Sequence, residues 1–90
     1  MKKNLNDLRA EIDLLDKKLL KILSERIEIA KKIGILKKSE GRKLIDNERK
    51  AKVLNRWIES LKKPGISKKD TEKLYNLIHD LSVSIERKSD

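Results

Sequence analysis

Arg26 stands where the longest apolar stripe of this 90-residue chain has room for another leucine. Counted in heptads from Leu5, the stripe reads Leu5, Leu8, Ile12, Leu15, Leu19, Ile22, Arg26, Ile29, Ile33 and Leu36. A guanidinium on such a seam loses water, a heavy cost unless an anion or a set of acceptors meets it. Either the protein supplies a carboxylate, with Glu86 and Glu48 as the candidates, or a ligand does. Lys37 lies about 16 Å and three turns further along the same helix, on the same face. Two long cationic side chains leaning together across that gap can hold a small anion. Arg9 lies about 25 Å before Arg26 and cannot reach that ligand from the same helix. In an antiparallel homodimer it could reach the partner's ligand, giving two equivalent composite sites. The alternative is that Arg9 and Lys37 are solvated flank charges.

Three further groups share faces. Asp46, Arg49 and Lys50 sit at i, i+3 and i+4, although Asp46 is also read as a helix cap and Lys50 as a surface lysine. Ser82 and Glu86 are four apart and flank an apolar stripe, so they can point together into whatever the helices enclose; otherwise they are a small packing residue and an exposed glutamate. His79 is the only histidine, and with no carboxylate cluster at ligand spacing it reads as a boundary packing residue rather than a metal ligand.

The elements that must position these residues are helices. From about Leu5 to Lys38 the apolar residues keep 3,4 spacing without proline, with Gly34 the one weak helix former. Such a helix extends roughly 50 Å, more than two shorter helices of the same chain can cover, so a partner is implied. Ser39, Glu40 and Gly41 break the pattern. Asp46 caps a second helix to about Lys62, with Val53, Leu54, Trp57, Ile58 and Leu61 inward. Pro64 and Gly65 end it. Ser67 and Asp70 resemble a capping box opening a third helix, whose stripe is Leu74, Leu77, Ile78, Leu81 and Ile85. The residues after Arg87 are expected to fray. No strand signal or repeat is present, so the fold class is all-α, three helices in one domain over residues 1–90.

Composition narrows the partners. The 24 Lys and Arg against 15 Asp and Glu give a formal charge of +9, which attracts anions: nucleic acid, an acidic membrane or a small polyanion. Only 37% of residues are hydrophobic, and Trp57 and Tyr75 are the sole aromatics, so a lone monomer has a lean core. Without cysteine there is no disulfide framework, thiolate zinc site or cysteine nucleophile, in keeping with a reducing cytoplasm. No stretch approaches the roughly 20 apolar residues of a membrane span. The basic residues are spread over all three helices without a helix-turn-helix signature or a base-stacking aromatic set, which argues against a nucleic-acid-binding protein, the alternative that the charge alone suggests.

The ordered set Leu8, Arg9, Ile12, Asp13, Asp16, Leu19, Leu20, then Leu23 and Arg26, then Ile33, Gly34 and Lys37, then Asp46 and Arg49, resembles the all-helical chorismate mutase family, with the likeness running from about Leu5 to Arg87. The resemblance implies an intertwined helical homodimer that converts chorismate to prephenate, on the route to phenylalanine and tyrosine, without a cofactor. It implies that Arg26, with Arg9 of the other subunit, pairs with the two substrate carboxylates. Lys37 would contact a carboxylate and the ether oxygen of the breaking bond, and Glu86 would be the second donor to that oxygen. Asp46 and Arg49 would line the mouth, and Ser82 would sit near the ring carboxylate. Two positions depart from the family. Lys50 stands where a glutamate usually holds the ring hydroxyl, a feature shared with the isochorismate pyruvate lyases of the same fold, which are the alternative enzyme. Glu86 stands where many bacterial relatives have glutamine, and a glutamate donates to an ether oxygen only when protonated.

Overall fold

The computed structural model describes residues 2–89 and contains three helices, α1 (Leu5–Glu40), α2 (Asn47–Lys62) and α3 (Lys68–Lys88), with no strand among the described residues. Each start is held by a side-chain cap that satisfies orphan N–H groups. At α1 the Asn4 side chain accepts from the Asp7 N–H at 2.9 Å and the Asp7 carboxylate accepts from the Asn4 N–H at 3.2 Å, a complete capping box. Asp46 caps α2 through the Arg49 N–H at 3.1 Å, as the sequence predicts, and Ser67 caps α3 through the Asp70 N–H at 3.1 Å, but the return bond from Asp70 that would complete the expected capping box is not made.

The ends follow from backbone chemistry. Gly41 takes φ +69°, the left-handed conformation that a side chain disfavours, and the Arg42 N–H turns back to the Lys37 carbonyl at 2.8 Å. This closure carries α1 two residues past the expected stop at Lys38. Fraying after Arg87 is not what the structure has: α3 continues through Lys88, the Ser89 hydroxyl donates to the Ile85 carbonyl at 2.8 Å, and Lys38 donates to the Arg87 carbonyl at 2.7 Å. The Lys38 bond ties the helix end to α1. Asp90 lies outside the described residues.

Packing runs α1 to α3 and α3 to α2. On α2 the expected stripe of Val53, Leu54, Trp57, Ile58 and Leu61 is shielded. The other two stripes are corrected. On α1 the shielded positions are Leu23, Arg26, Ile27, Ala30, Gly34 and Lys37, whereas the heptad leucines and isoleucines are left uncovered, Leu19 at 63% and Leu36 at 57%. On α3 the buried residues are Thr71, Tyr75, Val83 and Glu86; of the expected stripe Ile78 and Ile85 are shielded, while Leu74, Leu77 and Leu81 are exposed, Leu77 at 70%. The reason is close approach. A Cβ on Gly34 would lie 2.5 Å from the Glu86 carbonyl oxygen and 2.7 Å from its Cα, so α3 beds against α1 where the side chains are smallest. Large apolar residues, which dominate a heptad count, fall on the opposite side.

The result is a slender molecule. Its extents are 59 × 26 × 14 Å and its radius of gyration is 16.7 Å, against about 12 Å for a compact chain of this length. Most of α1 before Leu23 is exposed on every face. Among the described residues no helix is long and apolar enough to cross a membrane.

Candidate active site

The shielded part of α1, the first turns of α2 and one face of α3 enclose a cavity of about 420 Å³, within the range of small-molecule sites. Arg26 and Lys37 from α1, Asp46, Arg49 and Lys50 from the start of α2, and Ser82 and Glu86 from α3 all line it. Seven of the eight residues singled out in the sequence therefore meet in one space. Arg9 does not, since it lies exposed on the uncovered half of α1.

Arg26 donates through Nη1 to the Ser82 hydroxyl, across a sequence gap that only the α1–α3 contact closes. Ser82 in turn donates its one proton to the Ile78 carbonyl at 2.9 Å, so its lone pairs are what Arg26 meets. The guanidinium is fixed but not neutralised. Neither Glu86 nor Glu48 pairs with it, and no carboxylate among the described residues does. Of the two ways open to a cation on an apolar seam, pairing with a carboxylate of the described residues is not the one taken.

Lys37 is not a solvated flank charge. Its ammonium donates to the Leu44 carbonyl at 2.7 Å and to Glu86 Oε1 at 3.1 Å, which leaves one of its three protons. Glu86 is buried rather than exposed, its side chain only 9% accessible. A carboxylate this buried costs several kcal/mol in desolvation if it is unpaired, and Lys37 offsets that cost. Asp46 serves both readings, as cap and as part of the cavity lining. Lys50 is half-buried at the cavity, and among the described residues the side chains of Arg49 and Lys50 have no hydrogen-bonding or ion-pair partner.

The structure adds residues that the sequence did not single out as part of a site. Tyr75 and His79 line the cavity on the same helical stripe as Ser82 and Glu86, about two turns and one turn before Ser82 respectively. Tyr75 is 3% exposed and meets Trp57 edge-on at 5.1 Å, and His79 stacks with it at 5.7 Å. His79 thus has the packing role expected of it, although its buried Nδ1 has no hydrogen-bond partner. Burial pushes the Tyr75 phenol above its ordinary value, and the Arg26 and Arg49 guanidiniums pull it the other way. It stays a protonated donor at neutral pH. Arg42 and the Leu44 carbonyl also reach the cavity, with Arg42 paired to Glu40 at 3.0 Å. The signal for the α3 members was available: Tyr75, His79, Ser82 and Glu86 keep the i, i+4, i+7, i+11 spacing of one helical face.

Chemically the cavity is an anion receptor with apolar walls, among them Ile29, Ile33, Val53 and Val83. Five cations face two carboxylates. Ser82 has no base to activate it, because its proton is committed to a backbone carbonyl. What the arrangement offers is positive charge gathered over apolar walls, suited to gripping carboxylates and to stabilising charge that grows on an oxygen.

Comparison with known proteins places this geometry. The family model described as chorismate mutase type II matches residues 8–87. The chain is 35% identical over 63 residues to the T-protein of Haemophilus influenzae, a match that covers 70% of this chain and 17% of that protein. It is 34% identical over 61 residues to the intracellular chorismate mutase of Mycolicibacterium smegmatis, covering 68% of this chain and 59% of that protein. In both cases the chain spans less than two thirds of the relative's length.

Proposed function

We propose, since this chain belongs to the chorismate mutase type II family, that it rearranges chorismate to prephenate as an isomerase of aromatic amino acid biosynthesis. The observation that carries the reading is Arg26: a shielded guanidinium anchored by a neutral hydroxyl, with its charge left for a ligand. The rearrangement is unimolecular and needs neither nucleophile nor metal. It needs a dicarboxylate held in a compact, chair-like conformer, so that the two reacting carbons approach each other. Arg26 takes one carboxylate with its planar fork, beside Ser82, and Arg49 and Asp46 order the mouth. Bond breaking runs ahead of bond making, so negative charge grows on the ether oxygen. The remaining Lys37 proton meets it there, in a bond stronger in the transition state than in the ground state, while the Glu86 carboxylate holds the Lys37 ammonium in place.

The second carboxylate is gripped by Arg9 of a partner subunit. Homodimerisation is supported by the uncovered face of α1, where Leu8, Ile12, Leu15, Leu19 and Ile22 are about half exposed or more. An apolar strip of that length marks an interaction surface in a water-soluble protein. A twofold dimer sets each α1 against its equivalent and brings Arg9 to the other chain's cavity. The proposed place of work is the cytoplasm.

One observation favours a second reading. Lys50 is half-buried and without a partner at the cavity, at the position where the resemblance implies a hydroxyl-binding glutamate, so isochorismate, cleaved to pyruvate and salicylate, is the competing substrate. Purified protein incubated in parallel with each compound separates the two. Prephenate from chorismate, with no pyruvate from isochorismate, is the expected outcome. Pyruvate release instead would make the chain a lyase, and failure to consume either compound would reject both.

A further inference from the structure

We propose that Tyr75 is a further substrate-binding residue, its phenol donating a hydrogen bond to the carboxylate that Arg26 and Arg49 draw into their end of the cavity. The inference rests on the diacid reading above and adds a ligand to it. Three observations carry it. First, Tyr75 lines the cavity although only 3% of the residue is exposed. Its hydroxyl has no hydrogen-bond partner among the described residues, yet the one buried polar side-chain atom left unpaired there is His79 Nδ1. The phenol oxygen is therefore not sealed in; the small accessible part of the residue includes it. Second, the ring cannot swing away. Trp57 meets it edge-on at 5.1 Å with the planes at 85°, and His79 stacks on it at 5.7 Å with the planes at 30°. Third, the Arg26 and Arg49 guanidiniums act electrostatically on the phenol, and neither has a carboxylate partner among the described residues.

The phenol proton has no acceptor among the described residues, and a tyrosine this shielded normally donates to one. Two guanidiniums supply donors only and cannot satisfy the phenol proton. A carboxylate between them can, and it gains a third, neutral donor at a point where a further cation would add repulsion. The bond is made equally in ground and transition states, since this carboxylate does not change charge during the rearrangement. It serves affinity rather than the chemical step.

Tyr75→Phe removes the oxygen alone and keeps both ring contacts. Steady-state kinetics with chorismate and calorimetric titration with prephenate, on both proteins, test the assignment. The expected result is a KM and a prephenate Kd raised about tenfold, with kcat within about twofold and the thermal midpoint unchanged. Equal KM and Kd values would overturn the role of Tyr75 while leaving the mutase reading intact, and so would a fall in kcat at constant KM. Should the wild type leave chorismate unchanged, the mutase reading fails by itself. Tyr75 is then judged on calorimetric titration with chorismate, where equal Kd values, or no binding by the wild type, overturn it.

Discussion

Arg26→Ala is expected to lower kcat/KM for chorismate by about a thousandfold or more while the protein keeps its helix content and its thermal stability. The kinetic half follows from where the charge lies. A bidentate guanidinium–carboxylate pair shielded from water contributes about 4 kcal/mol to holding the reactive conformer, which is about three decades in rate. The stability half follows from what Arg26 touches. Its protein partner is a hydroxyl that keeps its own bond to the Ile78 carbonyl at 2.9 Å, so the truncation leaves no buried charge unpaired. Removing a poorly compensated cation from an apolar face relieves a desolvation cost, and the melting temperature should hold or rise. Kinetics and circular-dichroism melts on the same preparation check both halves. Turnover within tenfold of wild type would take Arg26 out of the site.

Gly34→Ala is expected to damage fold and function together. Helix propensity alone predicts the opposite, a gain of about 1 kcal/mol from replacing a mid-helix glycine. Sterics outweighs it. The added methyl would lie 2.5 Å from the Glu86 carbonyl oxygen, 2.7 Å from its Cα and 2.9 Å from its carbonyl carbon, and these are backbone atoms that no rotamer change can withdraw. α3 has to move by about 1 Å to restore van der Waals contact. Overpacking of this kind costs about 1–3 kcal/mol. The displaced segment carries Glu86, whose carboxylate sits 3.1 Å from Lys37, and a shift of that size at a positioning group costs about a hundredfold in rate. Urea unfolding should show a lower midpoint and kinetics a lower kcat, a pattern distinct from that of Arg26→Ala. A midpoint above wild type would mean that the two helices are not in such close contact.

What could be read from the sequence was local. Asp46 and Ser67 announce their helices because a cap needs only a side chain three residues from an N–H, and Gly41, Pro64 and Gly65 announce the stops for equally local reasons. The residue pattern set Arg26 with Lys37, Asp46 with Arg49 and Lys50, and Ser82 with Glu86 on shared faces, and only the resemblance to the chorismate mutase family joined the groups that now line one cavity. The buried faces of α1 and α3 were not legible. Heptad counting weights bulk, and these helices meet through Ala30, Gly34 and the backbone of Glu86, so the contact is invisible to a count of leucines. The burial of Glu86 and its pairing with Lys37 depend on that same long-range approach. Tyr75 escaped notice because an isolated aromatic on an amphipathic helix reads as core, and its placement beside Arg26 and Arg49 exists only in three dimensions. The capping box at Asn4 and Asp7 was there to be found, in the spacing of an Asn followed three residues later by an Asp.

The central claim is that each site is completed by a second chain, with Arg26 from one and Arg9 from the other. Mixing the Arg9→Ala and Arg26→Ala variants under conditions that allow subunit exchange tests it most directly. Each variant alone is expected to be inactive, because every site in it lacks one arginine. In a mixed dimer one site carries both lesions and the other carries neither. Random exchange of equal amounts should therefore restore about one quarter of wild-type activity. A mixture that stays as inactive as its components would contradict the account, placing both arginines in the site of a single chain or Arg9 outside the site altogether.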